Sequence, residues 1–192
     1  YGLERTPSLR GRISRIGGVP VSQVAVSPDA RWAVDSDRGL TYAPTPPEGS
    51  RIVAGQWWPA DYRGAPLVSF DANLARGFGI GIGDTITINI LGREIEARIA
   101  NLRAIDWATL NMNFTFVFAP GVLEGAPQTW IATVKAKPEE EEKVYRAITD
   151  RFSNITVIRV KDALDTVADL LGNIGLAARV VGAVSIATGL MV

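Results

Sequence analysis

Few residues in this chain can do chemistry, and what is missing narrows the choice further. The sequence has neither cysteine nor histidine. That excludes thiolate nucleophiles, disulfides, zinc sites built on Cys or His, and Ser-His-Asp arrangements. Carboxylate, lysine and tyrosine chemistry remains. Asp35 with Asp37, Glu94 with Glu96, and the run Glu139 to Glu142 are the carboxylates close enough in sequence to share a task. Such groups transfer protons or hold a hard cation such as calcium. None carries the glycine and spaced oxygen ligands of a calcium loop, and solvated surface charge accounts for them better. A hydrolase built on Asp35/Asp37 or Glu94/Glu96 is the enzymatic alternative. Glu94 and Glu96 fall on the wet side of an expected hairpin rather than in a cleft, which counts against it. No catalytic residue, metal ligand or cofactor is expected.

The stretch GFGIGIGDTITINILGREIEARI, residues 77–99, invites comparison with a loop that cradles phosphate. A dinucleotide fingerprint needs a strand before its glycines and a helix after them, and a P-loop needs a lysine. Here the order is reversed and the lysine is missing. The glycines are read as architecture: Asp71 caps a helix over ANLARGFG, Gly77 ends it, and Gly83-Asp84 turns the chain into a strand. Ile86, Ile88 and Ile90 then face one way, and Thr85, Thr87 and Asn89 the other. Gly92-Arg93 suits a two-residue turn, after which Ile95, Ala97 and Ile99 alternate with Glu94, Glu96 and Arg98.

Aromatic residues are the other candidates for contact. Trp57-Trp58 follows a short strand, and IDWATLNMNFTF brings Trp107, Met112 and Phe114 close in sequence. Tryptophan and methionine on loops form partner or apolar-ligand surfaces, or else plug a small β-domain. Adjacent tryptophans in extended chain would face opposite ways, leaving one of them for solvent or a partner.

The elements that must position these residues follow from pattern. The chain has 192 residues, is 47% hydrophobic, and balances 20 Lys+Arg against 20 Asp+Glu. It is globular in composition and lacks the basic footprint of nucleic-acid binding. SLRGRISRIGGVPV reads as a strand ending in a glycine turn, SPDARWAVDSDRG as a short helix, and TYAPTPPEGS as a rigid, polar connection. RIVAG, APLVSF, FTFVFAP, TWIATVKAK and NITVIRV read as strands, with LRAIDWATLNMN a loop. PEEEEKVYRAITDRF reads as a helix whose early glutamates suit its dipole and whose Val144, Ile148 and Phe152 form one stripe. From Lys161 a long helix is predicted, with Leu164, Val167 and Leu171 on one side. It runs into 180–192, where the 13 residues after Arg179 carry no charge. That length falls short of the roughly 18 apolar residues of a membrane span. It fits either a buried helix or the first part of a transmembrane one.

RIVAGQWWPADYRGAPLVSFDANLARGFGIGIGDTITINILGREIEARIANLRAIDW, residues 51–107, resembles the extracytoplasmic domain of FtsX/MacB-type ABC transporter permeases, the YbbP-like branch in particular. The resemblance rests on Gly55-Gln56-Trp57, Val68-Ser69, Leu74-Ala75, Gly79 and Gly83-Asp84-Thr85. LRGRI…GVPV, NFTFVFAPGVLEGAPQTWI and NITVIRVKDAL extend it in the same order. The chain departs from the pattern only in the extra glycines of GFGIGIGD, which affect local rigidity.

The resemblance implies an α+β, two-lobed periplasmic core domain of a bacterial inner-membrane protein. A porter-like βαβ lobe would comprise 1–54 and 128–165, and an inserted, mainly-β lobe 55–127. A stalk helix over 161–192 would enter the membrane. The implied partners are a cytoplasmic ABC ATPase subunit, a second permease domain or copy, a periplasmic hydrolase or thioesterase-type protein, and a lipid-like substrate, with no nucleic acid. Trp57, Trp58, Trp107, Met112 and Phe114 would be the contact surface, and Leu164, Val167 and Leu171 the stalk face that transmits motion. The alternative is a carrier for an apolar ligand, with its last helix buried.

Overall fold

The computed structural model describes residues 2–105 and 112–160. By compactness the chain divides between Val134 and Lys135. Most of the described residues belong to the first unit, whose strands are β1 (Gly2–Ile16), β2 (Val19–Pro20), β3 (Arg38–Tyr42), β4 (Ser50–Gly55), β5 (Leu67–Asp71), β6 (Thr85–Ile90), β7 (Arg93–Ile105), β8 (Phe116–Phe118) and β9 (Thr129–Lys135). Six of them close into a barrel in the order β1-β3-β8-β5-β7-β6 and back to β1. The β3–β8 and β5–β7 pairs are parallel and the other four antiparallel. β4 continues the sheet from β7, while β2 and β9 pair with β1.

Alternation decides what fills the barrel. Leu9, Ile13 and Ile16 of β1 meet Ile86, Ile88 and Ile90 of β6, Ala97 and Ile99 of β7, Val68 and Phe70 of β5, and Phe116 and Phe118 of β8. Phe70 stacks on Phe116 with ring centroids 4.8 Å apart. The short helices α1 (Trp32–Asp35) and α2 (Ala72–Phe78) add Ala33, Leu74, Ala75 and Phe78 to the same core. β1 and β3, which the resemblance places in the porter-like lobe, thus share one barrel with strands from 55–127, and β4 extends the same sheet from β7.

Asp71 caps α2 as expected, its Oδ1 accepting from the backbone N–H of Asn73 and Leu74. Gly77 does not end that helix. Its carbonyl accepts from the Ser27 N–H at 3.0 Å, and a side chain there would strike Ala30. The left-handed residue that stops α2 is Gly79, at φ 68°, whose N–H returns to Ala75 and Arg76. The hairpin turn also sits one residue earlier than the pattern suggests: Ile90 pairs with Arg93, so the turn is Leu91-Gly92, at φ 51° and 89°. Positive φ at both turn residues matches the twist of the flanking strands.

Two expectations of loop fail. β3 includes Thr41 and Tyr42 from the proline-rich connection, and Thr41 is buried with its hydroxyl donating to the Pro7 carbonyl at 2.7 Å. β7 continues through Leu102 to Ile105, where a loop was expected.

In the second unit α3 (Glu141–Thr149) follows a 3-10 turn over Pro138–Glu140. Glu142 accepts from Arg146 at 2.8 Å and Arg159 at 3.1 Å, which holds its carboxyl below the usual value, the Arg146 hydrogen bond being the main cause. Residues 154–159 form no strand. A β-branched run gains little from extension without a neighbouring ladder to pack on. Among the described residues no helix is long and apolar enough to cross a membrane. The predicted stalk with Leu164, Val167 and Leu171, the apolar stretch 180–192 and Trp107 lie outside the described residues.

Candidate apolar contact site

The glycine run offers no cradle. Its amides are already used: Gly79 N–H on α2, Gly81 N–H on Asp84 Oδ2 at 2.8 Å, and Gly83 N–H on the Ile99 carbonyl at 2.9 Å. The carboxylates do not converge either. Among the described residues no three Asp or Glu side chains come together as a metal site. Glu94 and Glu96 are exposed on β7, as expected.

Four of the five aromatic and methionine candidates do come together. Trp58, Leu67, Phe114, Val117 and Ala119 form a small buried cluster, with Trp57, Tyr62 and Met112 partly buried against it. It lies apart from the core inside the barrel. The tryptophans do not face opposite ways, because the chain leaves β4 at Gly55 and is no longer extended as a strand. Their ring centroids lie 4.2 Å apart. Each indole N–H reaches a backbone carbonyl at 2.9 Å, Trp57 on Pro44 and Trp58 on Ala43. Both therefore staple the segment after β4 onto the one after β3.

Beside this cluster lies a groove of about 670 Å³. Met112, Phe114, Trp32 and Ile131 give it apolar surface, and Arg10, Arg38 and Asp37 give it charge. Arg10 on β1 is paired with Gly39 on β3, next to Arg38. Arg38 stacks over Trp32, its guanidinium carbon 4.8 Å from the ring centroid. Its pKa is lowered by burial and by Arg10, with Asp37 and Asp35 pulling the other way. Trp32 and Ile131 are 46% and 41% exposed, so the groove offers apolar area that no other described residue covers.

Beneath this surface is a polar strip that the sequence reading missed. Ser69, Asp71, Asn101 and Arg103 are all buried, and Ser69 pairs with Asn101 and Asp71 with Arg103 across parallel β5 and β7. Their placement depends on a bulge. Val68 pairs with Ile99 and Ser69 with Asn101, so Ala100 is the extra residue. An extra residue flips the side-chain parity of a strand. Before it Ala97 and Ile99 point into the barrel; after it Leu102 does, beside Phe70, and Asn101 and Arg103 turn outward.

Arg103 then spans four segments. Its Nε donates to Ser69 Oγ at 2.7 Å, Nη1 to Ser50 Oγ at 3.1 Å, and Nη2 to the carbonyls of Phe114 at 2.9 Å and Thr115 at 3.4 Å. Ser69 also bonds Asn101, whose Nδ2 donates to the Gln56 carbonyl at 3.2 Å. Both halves of the aromatic cover, Gln56-Trp57-Trp58 and Met112 to Thr115, are thus tied to one strip. Burial pushes the Arg103 guanidinium down to about 10, with Asp71 opposing. It carries its charge at neutral pH.

No protein-family profile matches the chain, and no solved structure matches it. Over 129 residues, 67% of this chain, it is 33% identical to the uncharacterized ABC transporter permease YbbP of Escherichia coli (strain K12). The match takes in 15% of that protein's length. This similarity supports a relationship to ABC transporter permeases.

Proposed function

We propose that this chain is an extracytoplasmic piece of an ABC-type permease of the FtsX/MacB kind, on the periplasmic side of a bacterial inner membrane. The observation that carries the reading is the 33% identity to a permease over 129 residues. In this reading the domain catalyses nothing. A separate cytoplasmic ATPase subunit hydrolyses ATP, and the stalk with Leu164, Val167 and Leu171 passes the motion outward. The domain then helps extract or export an apolar, lipid-like molecule, or controls a periplasmic partner such as a hydrolase or thioesterase. The two-lobed arrangement stays part of the proposal, with the mainly-β lobe enlarged by β1 and β3 in its barrel and by β4 beside β7. The groove beside Met112 and Phe114 is the contact surface, because it combines exposed Trp32 and Ile131 with the partly buried Met112.

The test compares thermal unfolding and detergent dependence of the chain ending at Asn173 with the full 192 residues. An unchanged midpoint, with detergent no longer needed, is the expected result. A collapsed midpoint would mean that the last apolar stretch is core, and would favour a carrier for an apolar ligand instead.

A further inference from the structure

Asp71 and Arg103 are register partners on parallel strands, 2% and 1% exposed, yet they form no ion pair. Asp71 spends Oδ1 on the first amides of α2, and its Oδ2 has no hydrogen-bond partner among the described residues. Arg103 donates instead to neutral acceptors, the hydroxyls of Ser69 and Ser50 and the carbonyls of Phe114 and Thr115. Each half of that arrangement is costly. A buried carboxylate oxygen left without a donor loses its hydration with nothing in return, and a guanidinium binds carboxylate more strongly than it binds carbonyl.

We infer that Arg103 is a latch with two resting places: on the Phe114 and Thr115 carbonyls it holds the groove wall shut, and on Asp71 Oδ2 it lets that wall go. Met112, Asn113, Phe114 and Thr115 line the groove and form neither helix nor strand. When Nη2 moves to Asp71, the two carbonyls lose their donor and must find water, which draws the wall outward. Arg103 keeps Ser69 and Ser50 through Nε and Nη1, so β7 stays joined to β5 and β4. Asp71 is a charge that competes for the latch, and Arg103 is a positioning residue for the groove. The inference relies on the groove reading above only for what the opening would admit.

Hydrogen exchange of the segment 112–118 tests it without any ligand. Asp71→Asn keeps an oxygen to cap α2 and removes the charge that competes for Arg103. The expected result is exchange slowed at least threefold over 112–118, with α2 and β6 within twofold of the parent. Arg103→Lys, which cannot hold both carbonyls and Ser69 together, should speed exchange there at least fivefold while the thermal midpoint remains measurable. Unchanged or faster exchange over 112–118 in Asp71→Asn would overturn the latch, and so would Arg103→Lys leaving the segment as in the parent. Binding of a dodecyl-chain detergent monomer, read from tryptophan fluorescence, reports on the groove separately. Its failure with the exchange result intact would count against the contact reading and leave the latch standing.

Discussion

Trp57 and Trp58 are adjacent in sequence and close in space, yet they do different work. Trp58 is buried with its indole N–H on Ala43, whereas Trp57 keeps part of its ring in solvent. Truncating a buried tryptophan to alanine costs about 3–5 kcal/mol, through lost contacts and the cavity left behind. Trp58→Ala is expected to fall in that range in urea denaturation, and Trp57→Ala at less than half of it. A Trp58→Ala loss below about 1 kcal/mol would show that the cluster is not core. The sequence could nominate this pair and Met112 with Phe114 because aromatic side chains rarely gather on loops without purpose. It could not divide them into core and surface, since that depends on the cover formed by residues before β8. Arg103 was illegible for a different reason. It fell in the stretch from Leu102 that reads as a loop, and only the continuation of β7 past the bulge at Ala100 brings it under the cover.

At the scale of elements, the β6–β7 hairpin was readable almost residue by residue, because local alternation and a glycine turn specify it without help from the rest of the chain. The one-residue error in its turn has a physical signature. Leu91 sits at φ 51° and is 77% exposed, so it carries left-handed strain with no burial in exchange. Asparagine tolerates that conformation better than leucine. Leu91→Asn should therefore stabilise the protein by about 0.5–1 kcal/mol, as a higher urea midpoint with unchanged slope. A lower midpoint would mean that the turn differs in solution. Strand β3 was harder. β3 is short and runs into prolines, and its identity comes from parallel pairing with a segment more than seventy residues away.

For the molecule as a whole, the barrel closes within Gly2–Val134, and among the described residues its core draws on none beyond Leu123 and the partly buried Ala126. A chain of residues 2–134 is expected to fold cooperatively, with a thermal midpoint within about 4 °C of the parent, the shift that roughly 1 kcal/mol produces at this size. Loss of the midpoint would show that the second unit is needed for the first. That boundary was not legible in the sequence. The resemblance groups 128–165 with 1–54 in one lobe; β9 is paired to β1, while the division by compactness falls inside that stretch, after Val134.

The same closure orders events during synthesis. β1 is made before both of its barrel neighbours, β3 and β6. Ile13 and Ile16 face Ile88 and Ile86, which the ribosome adds some seventy residues later. At about 5–20 residues per second, β1 stays without its second neighbour for several seconds. For that interval Leu9, Ile13 and Ile16 are a nascent apolar edge, a point at which a chaperone would have reason to hold this chain.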